Sequence, residues 1–266
     1  MDIKIVGVNG SPRPKHSTEI LLDEALEAAK NTGGVNIEKI NLYQYKLKSC
    51  RGCFKCFDPI ELLKHPENLC QVNIRDDGDT LLKKLYEADG LIIGSPVYFG
   101  NVSGHMKTFF DRTEPMMRYT YTPWTAGLQN CVGGAIVAAG NRHGGVETTI
   151  RAIHNFFLIH DMIIVGTGSH DISVYGFPVP GCYYGGAGWM TTTDTLKKML
   201  DMESIIEAYA FAKSKDIIKE DPMATMMAKS LGSRVAEVAK RIHSNSPQRL
   251  RLKLSNEDRT QLWRLA

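Results

Sequence analysis

Apolar and polar positions follow two different periods along the first two thirds of the chain. Short runs rich in β-branched and apolar residues favour strands, and they lie at residues 3–8, 35–42, 90–95, 131–140 and 162–168. Segments whose apolar residues recur at helical spacing lie between them, at residues 18–30, 79–88, 104–113 and 145–160. Strand and helix signals therefore alternate, which is typical of an α/β fold with a parallel sheet.

Five strands joined by helices form a complete doubly wound unit, because right-handed crossovers place helices on both faces of a parallel sheet. We predict a flavodoxin-like domain with the strand order 2-1-3-4-5 over residues 1–215. A cysteine-rich insertion follows the second strand at residues 43–78, and residues 216–266 form a helical C-terminal extension and tail. Residues 169–193 combine glycines, prolines and aromatic residues, which predicts a long ordered loop rather than a strand or a helix.

Two helical segments follow that loop. Asp194 and Asp221 stand at their predicted starts, where an aspartate side chain can cap free backbone N–H groups. The tail beyond them contains Leu262 and Trp263. A solvated tail and a segment docked on a second subunit both remain open for it.

Composition and charge narrow the function classes. Hydrophobic residues make up 43% and charged residues 23% of the 266 residues, as in ordinary globular proteins. The net charge of +3 is too small to indicate nucleic-acid binding without a basic cluster, and no apolar run reaches the roughly 18 residues that span a bilayer. The N-terminal residues show no secretory pattern, so we expect a cytoplasmic protein with no nucleic-acid or membrane partner.

The loop after the first strand carries groups that bind phosphate. Ser11, Ser17 and Thr18 supply hydroxyls, and Arg13 supplies a planar set of N–H donors. The helix that starts near Ser17 offers free N–H groups at the positive end of its dipole. The same sequence also fits an ordinary helix cap at Ser17 or Thr18 behind a proline-rich turn, and this loop alone does not decide between the two.

Two further loops end at the same edge of the predicted sheet. After the third strand, Pro96 stiffens the turn, and Tyr98 and Phe99 provide aromatic surface. Gly100 lets the backbone approach a flat ring. The loop after the fourth strand contains Gly140, Asn141, Gly144 and Gly145.

Ligands of open α/β sheets bind at this edge, where the strand order reverses. Neither a G-x-G-x-x-G dinucleotide motif at a helix start nor a Walker sequence occurs, so a dinucleotide site and a nucleoside triphosphatase are not supported. The loops suit a monophosphate that carries a planar ring. Flavin mononucleotide (FMN) meets that description.

The loops "GSPRPKHST" (residues 10–18) and "GSPVYFGNVSGHMKTFFDR" (94–112) resemble those of the NADPH-dependent FMN reductase group of flavodoxin-like proteins. With "CRGCFKC" (50–56), the chain is similar to the iron-sulfur flavoproteins of anaerobic microbes. The resemblance covers about the first 165 residues. It implies that the first loop binds the FMN phosphate and that the other two contact the isoalloxazine ring. The implied FMN contacts are Ser11, Arg13, Ser17, Thr18, Pro96, Val97, Tyr98, Phe99, Gly100, Asn101, Gly140, Asn141, Gly144 and Gly145.

Three cysteines, Cys50, Cys53 and Cys56, are spaced C-x2-C-x2-C, and thirteen residues separate Cys56 from a fourth, Cys70. Disulfides are unusual in a reducing cytoplasm, so these thiols are candidates for metal or redox chemistry. Their spacing matches the opening run of ferredoxin-type cluster ligation. The family resemblance implies a four-iron, four-sulfur (4Fe-4S) cluster with Cys70 as the fourth ligand, although the family's gap is normally shorter. Cys182 or a non-cysteine ligand are the alternatives for that fourth position.

The residues leave three functional hypotheses. The preferred one is an FMN-containing iron-sulfur oxidoreductase that moves electrons between a ferredoxin-like carrier or NAD(P)H and a two-electron small-molecule acceptor. The second is an NAD(P)H-dependent FMN or quinone reductase whose cysteines bind zinc or remain free, although zinc sites usually pair two C-x2-C units. The third is a non-catalytic flavodoxin-like carrier or redox sensor.

No catalytic residue is assigned, because flavin chemistry does not require a dedicated protein acid. The resemblance alone implies a homodimer or a homotetramer.

Overall fold

The computed structural model describes residues 2–65, 68–72, 75–117, 126–141, 143–167, 184–189, 199–202, 204–214 and 217–243. Cys182, the predicted cap Asp194 and the C-terminal tail lie outside these residues.

One parallel sheet forms the centre of the described structure. Its strands are β1 (Ile3–Asn9), β2 (Val35–Asn41), β3 (Gly90–Pro96), β4 (Val132–Ala139), β5 (Ile163–Ile164) and β6 (Gly186–Trp189). The order β2-β1-β3-β4-β5 confirms the predicted flavodoxin-like topology. All of these pairs are parallel, so the carboxyl ends of β1, β3 and β4 meet at one edge, which we call the carboxyl edge.

The last position in the sheet is shared by two short strands, and here the predicted boundaries are wrong. The sequence pattern predicts one strand at 162–168 and a loop at 169–193, whereas β5 has only two residues and β6 lies inside the predicted loop. β5 pairs with the first two residues of β4, and β6 pairs with Ile136–Ala139. Because β3 already occupies the other edge of β4, both short strands lie on the same side of it.

Glycines explain why the sequence pattern does not reveal β6. Glycine is depleted in strands, so the sequence Gly-Ala-Gly-Trp indicates a loop. In the structure, a Cβ on Gly185 would lie 2.4 Å from the carbonyl oxygen of Ala135, and one on Gly188 would lie 2.8 Å from Ile218. These glycines let the backbone approach its neighbours closely.

The described helices match the sequence predictions closely at most of their ends. They are α1 (Ser17–Asn31), α2 (Pro59–Lys64), α3 (Gly78–Tyr86), α4 (Gly104–Arg112), α5 (Val146–Ile159), α6 (Ile205–Lys213) and α7 (Pro222–His243). Asp221 caps α7 as predicted, since its carboxylate accepts the Ala224 N–H at 3.1 Å. Within the described ranges, no helix combines the length and the apolar character needed to cross a membrane.

Two apolar cores cover the two faces of the sheet. Side chains of successive strand residues point to opposite faces. Ile3 and Ile5 of β1 accordingly join the core formed with α1 and α7, while Val6 and Val8 join the core formed with α3, α4 and α5. The helix α7, which belongs to the predicted extension 216–266, therefore covers the sheet beside α1. The domain division at residue 215 stays a prediction.

His160, directly after α5, is a buried histidine with no charged partner among the described residues. Its Nε2 lies 2.8 Å from the Thr113 hydroxyl, and its Nδ1 has no hydrogen-bond partner within the part of the chain that the structure describes. Its ring lies 4.7 Å from the ring of Phe156. Burial lowers the pKa of His160 from 6.5 to about 4.

We expect the free energy of unfolding to fall as the pH drops from 6.5 to about 4, because the unfolded chain takes up a proton that the folded chain excludes. The stability is fully present above pH 6.5, and the loss reaches roughly 3 kcal/mol at about pH 4. His160→Gln should remove that part of the pH dependence, as measured by urea unfolding across the range. His154, whose pKa burial also lowers, is present in both proteins, so its effect cancels. Identical pH profiles for the two proteins would contradict this account.

Candidate functional site

Ser103 fastens the loops after β1 and β3 to each other. Its hydroxyl donates to the carbonyl of Gly10 at 2.6 Å, and its backbone N–H donates to Ser95 Oγ at 3.1 Å. The same hydroxyl accepts the N–H of Met106 and so caps α4. The two loops that the sequence singles out therefore have a fixed relative position at the carboxyl edge.

A small cavity of about 80 Å³ lies between these loops. The structure brings eight of the predicted FMN contacts to its wall: Ser11, Arg13, Ser17, Thr18, Pro96, Val97, Tyr98 and Gly140. The wall also contains three residues that sequence reasoning missed, His16, Ala138 and Ala139. We call this cavity the edge cavity.

The other six predicted contacts form turns beside the edge cavity and do not line it: Phe99, Gly100, Asn101, Asn141, Gly144 and Gly145. Tyr98 and Asn101 exchange backbone hydrogen bonds at 2.9 and 3.0 Å, so that Phe99 and Gly100 form the tip of a tight turn. Both tip residues have positive φ angles, 50° and 72°. The Phe99 side chain is fully exposed.

Thr148 of α5 holds this aromatic turn in place. Its hydroxyl donates to the carbonyl of Gly100 at 2.8 Å. Gly145 has a φ of 97°, and a Cβ there would lie 2.5 Å from the Cα of Gly100, so a larger residue would separate the two turns. Non-glycine residues held in left-handed backbone, as Phe99 is, cluster at active sites and ligand-binding segments.

The start of α1 is suited to an anion. His16 occupies the N-cap position and makes no capping hydrogen bond through its side chain, so the alternative in which Ser17 or Thr18 caps the helix is not the arrangement observed. The positive end of the helix dipole therefore faces the edge cavity. Arg13 adds a charge there, with its Nη2 3.0 Å from His16 Nδ1 and 3.2 Å from the carbonyl of Lys213.

A buried carboxylate that sequence reasoning missed supports the loop between β1 and α1. Glu19 accepts the backbone N–H of Lys15 at 2.7 Å and pairs with Lys39 at 2.9 Å. Asn9 and Asn41 also donate to it, at 3.4 and 3.2 Å. Burial alone would raise the pKa of Glu19, but the hydrogen bonds from Lys39 and Lys15 outweigh burial, and the pKa is lowered. The carboxylate therefore stays charged and holds the loop in shape.

The four clustered cysteines surround a second, larger cavity of about 300 Å³, which we call the cysteine cavity. Cys50, Cys53, Cys56 and Cys70 all line it, and it shares no lining residue with the edge cavity. The structure thus brings together all four thiols that the sequence predicts as ligands. Cys131 is buried in the core at the start of β4, in line with its prediction as a small apolar residue.

The first three cysteines lie on a tightly turned loop. Gly52 and Phe54 have positive φ angles of 60° and 52°, and a short 3-10 helix follows at Lys55–Phe57. The N–H of Gly52 already points at Cys50 Sγ, at 3.4 Å. Hydrogen bonds to sulfur of this kind stabilise the negative charge of metal-bound thiolates.

The four cysteines line one cavity, but their side chains are not gathered as a ready-made metal site. Within the described residues, no group of three or more His, Cys, Asp or Glu side chains is close enough together to hold a metal ion. Burial, with a further contribution from Glu114, raises the pKa of Cys56 to about 12, and burial also raises the pKa of Cys70. These thiols are therefore protonated without a metal, and metal binding must release their protons.

Aspartates at the start of α3 hold both ends of the cysteine insertion. Asp77 accepts the backbone N–H of Lys46 at 2.7 Å, before the first cysteine. Asp79 accepts the N–H groups of Leu69 and Cys70, both at 3.2 Å. The sequence signal for these aspartates is the "DDGD" run at residues 76–79. The same run fits an ordinary helix start, where acidic residues are common, so it does not by itself indicate a role beside the cysteines.

Helix α4 connects the two cavities. Ser103 at its N-terminal end fastens the loops of the edge cavity, while Asp111 and Arg112 at its C-terminal end line the cysteine cavity. The nine residues of α4 give a helix length of roughly 13 Å.

Comparisons with known proteins agree with this arrangement. Residues 3–173 match the NADPH-dependent FMN reductase family. An iron-sulfur flavoprotein of Methanocaldococcus jannaschii is 38% identical over 240 residues, which cover 90% of this chain and 99% of that protein. An iron-sulfur flavoprotein of Methanosarcina thermophila is 33% identical and covers 77% of this chain and 97% of its own. The solved structure of RosB with its bound intermediate 8-demethyl-8-formylriboflavin-5'-phosphate has a TM-score of 0.62 at 14% identity, over 99% of this chain and 87% of RosB, which shows a shared fold.

Proposed function

The chain belongs to the NADPH-dependent FMN reductase family, and on this premise we propose that it is an FMN-containing iron-sulfur oxidoreductase. Membership of the family makes it a flavin-dependent oxidoreductase. The proposal goes further in assigning a 4Fe-4S cluster to Cys50, Cys53, Cys56 and Cys70. The observation that carries it is the presence in one domain of a phosphate-type cavity and a second cavity surrounded by four thiols.

The edge cavity would hold the phosphate end of FMN. Hydroxyls of Ser11, Ser17 and Thr18 line it beside the Arg13 guanidinium and the start of α1. These are the donors that bind a phosphate dianion. The cavity of about 80 Å³ is too small for a three-ring system, so the isoalloxazine would lie outside it, against the turn that presents Tyr98 and Phe99.

The cysteine cavity would hold the cluster, with a thiolate from each of the four cysteines. A bound cluster exchanges single electrons, and a flavin exchanges one or two, so together they connect one-electron donors with two-electron acceptors. The chain's own contribution is to place the thiols around one cavity, to hold Cys70 through Asp79, and to position the FMN phosphate through the loop that Glu19 supports.

The electron donor in this proposal is a ferredoxin-like carrier or NAD(P)H, and the acceptor is a small molecule. The expected setting is the cytoplasm, where reducing conditions keep cysteine thiols available for metal binding. A homodimer or a homotetramer is the expected assembly by family resemblance.

Anaerobic purification tests the cofactors directly. FMN, iron, acid-labile sulfide and zinc are measured per chain, together with the visible spectrum. We expect bound FMN, and iron and sulfide in equal amounts of about four each. Zinc without sulfide would favour the cluster-free reductase. Reduction of the bound FMN without turnover of any acceptor, using NAD(P)H or reduced ferredoxin as the donor, would favour a non-catalytic carrier.

Arg13→Gln is expected to weaken FMN binding by roughly 10- to 100-fold, since a hydrogen bond to a charged group contributes about 1.5–3 kcal/mol. Riboflavin, which lacks the phosphate, should bind the variant and the wild type equally. Fluorescence titration of the apoprotein with each ligand measures both affinities. Lys15→Gln is the matched control, because Lys15 lies in the same loop but does not line the edge cavity. An equal loss for FMN and riboflavin would contradict a phosphate role for Arg13.

A further inference from the structure

A buried ion pair lies beside the cysteine cavity. The side chains of Arg112 and Asp76 are each only 3% exposed, and Nη1 of Arg112 binds the Asp76 carboxylate directly. Arg112 also donates to the carbonyl of Lys48 at 3.1 Å. Asp76 in turn accepts the N–H groups of Lys48 and Gly78, at 2.8 and 3.0 Å.

A glycine makes this arrangement possible. A Cβ on Gly78 would lie 2.3 Å from Nη2 and 2.7 Å from Cζ of Arg112. The guanidinium therefore packs directly on the start of α3, where any larger residue would displace it. Its position is defined by a salt bridge, a carbonyl and this close contact together.

Only the positive member of the pair lines the cysteine cavity. Arg112 lines the cysteine cavity, and Asp76 does not. Asp76 lines a separate cavity of about 320 Å³, which Arg112 and Cys70 also border. The positive member of the pair is therefore the one that lines the cavity shared by all four cysteines.

Other charged residues around the cysteine cavity are more open to water. Arg51 and Lys55 are exposed, and Asp111 and Glu114 provide negative charges on the same wall. Water and salt weaken the fields of exposed charges strongly, whereas a buried charge acts through a medium of low effective dielectric constant. Arg112 is therefore the lining cation whose field should reach a bound group with the least screening.

We propose that Arg112, held by Asp76, sets the reduction potential of the cluster and makes it easier to reduce. The inference rests on the proposed function, because it requires a cluster on the four cysteines. Reduction adds one negative charge to a cluster that already carries thiolate ligands, and net charge near a cluster is one of the factors that determine its potential. A buried cation stabilises the more negative, reduced form, and Asp76 partly offsets that effect while it fixes the guanidinium in place.

The test is a redox titration of the anaerobically purified protein, in which the paramagnetic signal of the reduced cluster is followed. Arg112→Gln should lower the midpoint potential and Asp76→Asn should raise it. At a fixed ambient potential we expect the ratio of reduced to oxidised cluster to fall about tenfold in Arg112→Gln, which for one electron corresponds to about 59 mV, and to rise by a smaller factor in Asp76→Asn. The double variant Asp76→Asn/Arg112→Gln should lie between the wild type and Arg112→Gln, and Arg112→Lys should restore most of the potential.

Shifts of the midpoint potential in opposite directions in the two single variants distinguish an electrostatic role of the ion pair from a structural one. Loss of a buried partner destabilises a protein in either case, but structural damage gives no reason for the two single variants to differ in sign. The double variant buries no unpaired charge. Its midpoint potential can therefore still be measured if a single variant folds poorly. Lys55→Gln, which removes an exposed cation from the same cavity, is the matched control and should change the ratio far less.

The outcomes distinguish this inference from the function on which it rests. Wild-type protein without iron and sulfide would overturn both. Iron-loaded variants with the wild-type potential, or with shifts of the same sign, would overturn the role of Arg112 alone and leave the proposed cluster standing.

Discussion

Protein carrying Cys53→Ala is expected to lose nearly all of its iron, its sulfide and its brown absorbance, while it keeps FMN and the yellow absorbance. A cluster needs thiolates at its corners, and Cys53 is one of the four that surround the cysteine cavity. FMN should remain bound because the edge cavity has no lining residue in common with the cysteine cavity. Iron, sulfide and FMN analysis of anaerobically purified protein measures the three quantities together.

Cys131→Ala is the matched control for this experiment. Cys131 is 2% exposed and lies in the core at the start of β4, away from the cysteine cavity. The substitution should cost about 1 kcal/mol of stability at most and leave the iron content unchanged. Joint loss of iron and FMN from Cys53→Ala would mean that the cysteine loop supports the fold rather than a separate cofactor. Unchanged iron would remove Cys53 from the ligand set.

Gly232→Ala is expected to lower the free energy of unfolding by about 3 kcal/mol, since overpacking a core typically costs 1–3 kcal/mol and sometimes more. A Cβ on Gly232 of α7 would lie 1.9 Å from the carbonyl oxygen of Ala25 in α1. Backbone atoms cannot rotate away, so the two helices must separate. This cost should exceed the gain of about 1 kcal/mol that alanine brings to a helix interior. Urea unfolding of the apoprotein measures the difference.

The same substitution should also weaken FMN binding, because α1 carries Ser17 and Thr18 at the end that faces the edge cavity. Gly104→Ala is the matched control, as Gly104 is also a helical glycine but has no atom within 4 Å of its potential Cβ. It should change stability by no more than about 0.5 kcal/mol. A Gly232→Ala protein as stable as the control would show that α1 and α7 can move apart without cost.

The strand order could be predicted because each buried strand is a short apolar run. β1, β3 and β4 each appear in the sequence as such a run, and the alternation with helices leaves few topologies once crossovers are right-handed. The prediction for the fifth strand position was wrong for a specific reason. Its second piece, β6, begins with the small residues Gly-Ala-Gly, whose role is to approach neighbouring elements closely, as Gly188 approaches Ile218. No local sequence pattern records such an approach.

The residues of the candidate site also fall into those that the sequence reveals and those that it does not. The C-x2-C-x2-C spacing and the two loops could be recognised because their residues are neighbours in the sequence. Glu19 and Arg112 could not be recognised from the sequence, since each lies at a position that also suits an ordinary surface or buried residue of a helix. Their partners Lys39 and Asp76 lie 20 and 36 residues away along the chain.

By itself, the sequence determined the class of fold, the strand order, and where the candidate loops and the four cysteines lie along the chain, because periodicity, turn chemistry and residue spacing act over a few neighbouring residues. Only the tertiary structure decided which of the loop residues share a cavity, that Cys70 joins the other three cysteines, and that a buried arginine faces them. The physical reason is that burial and the field of a charge depend on distances in space, and these are set by the packing of the whole chain.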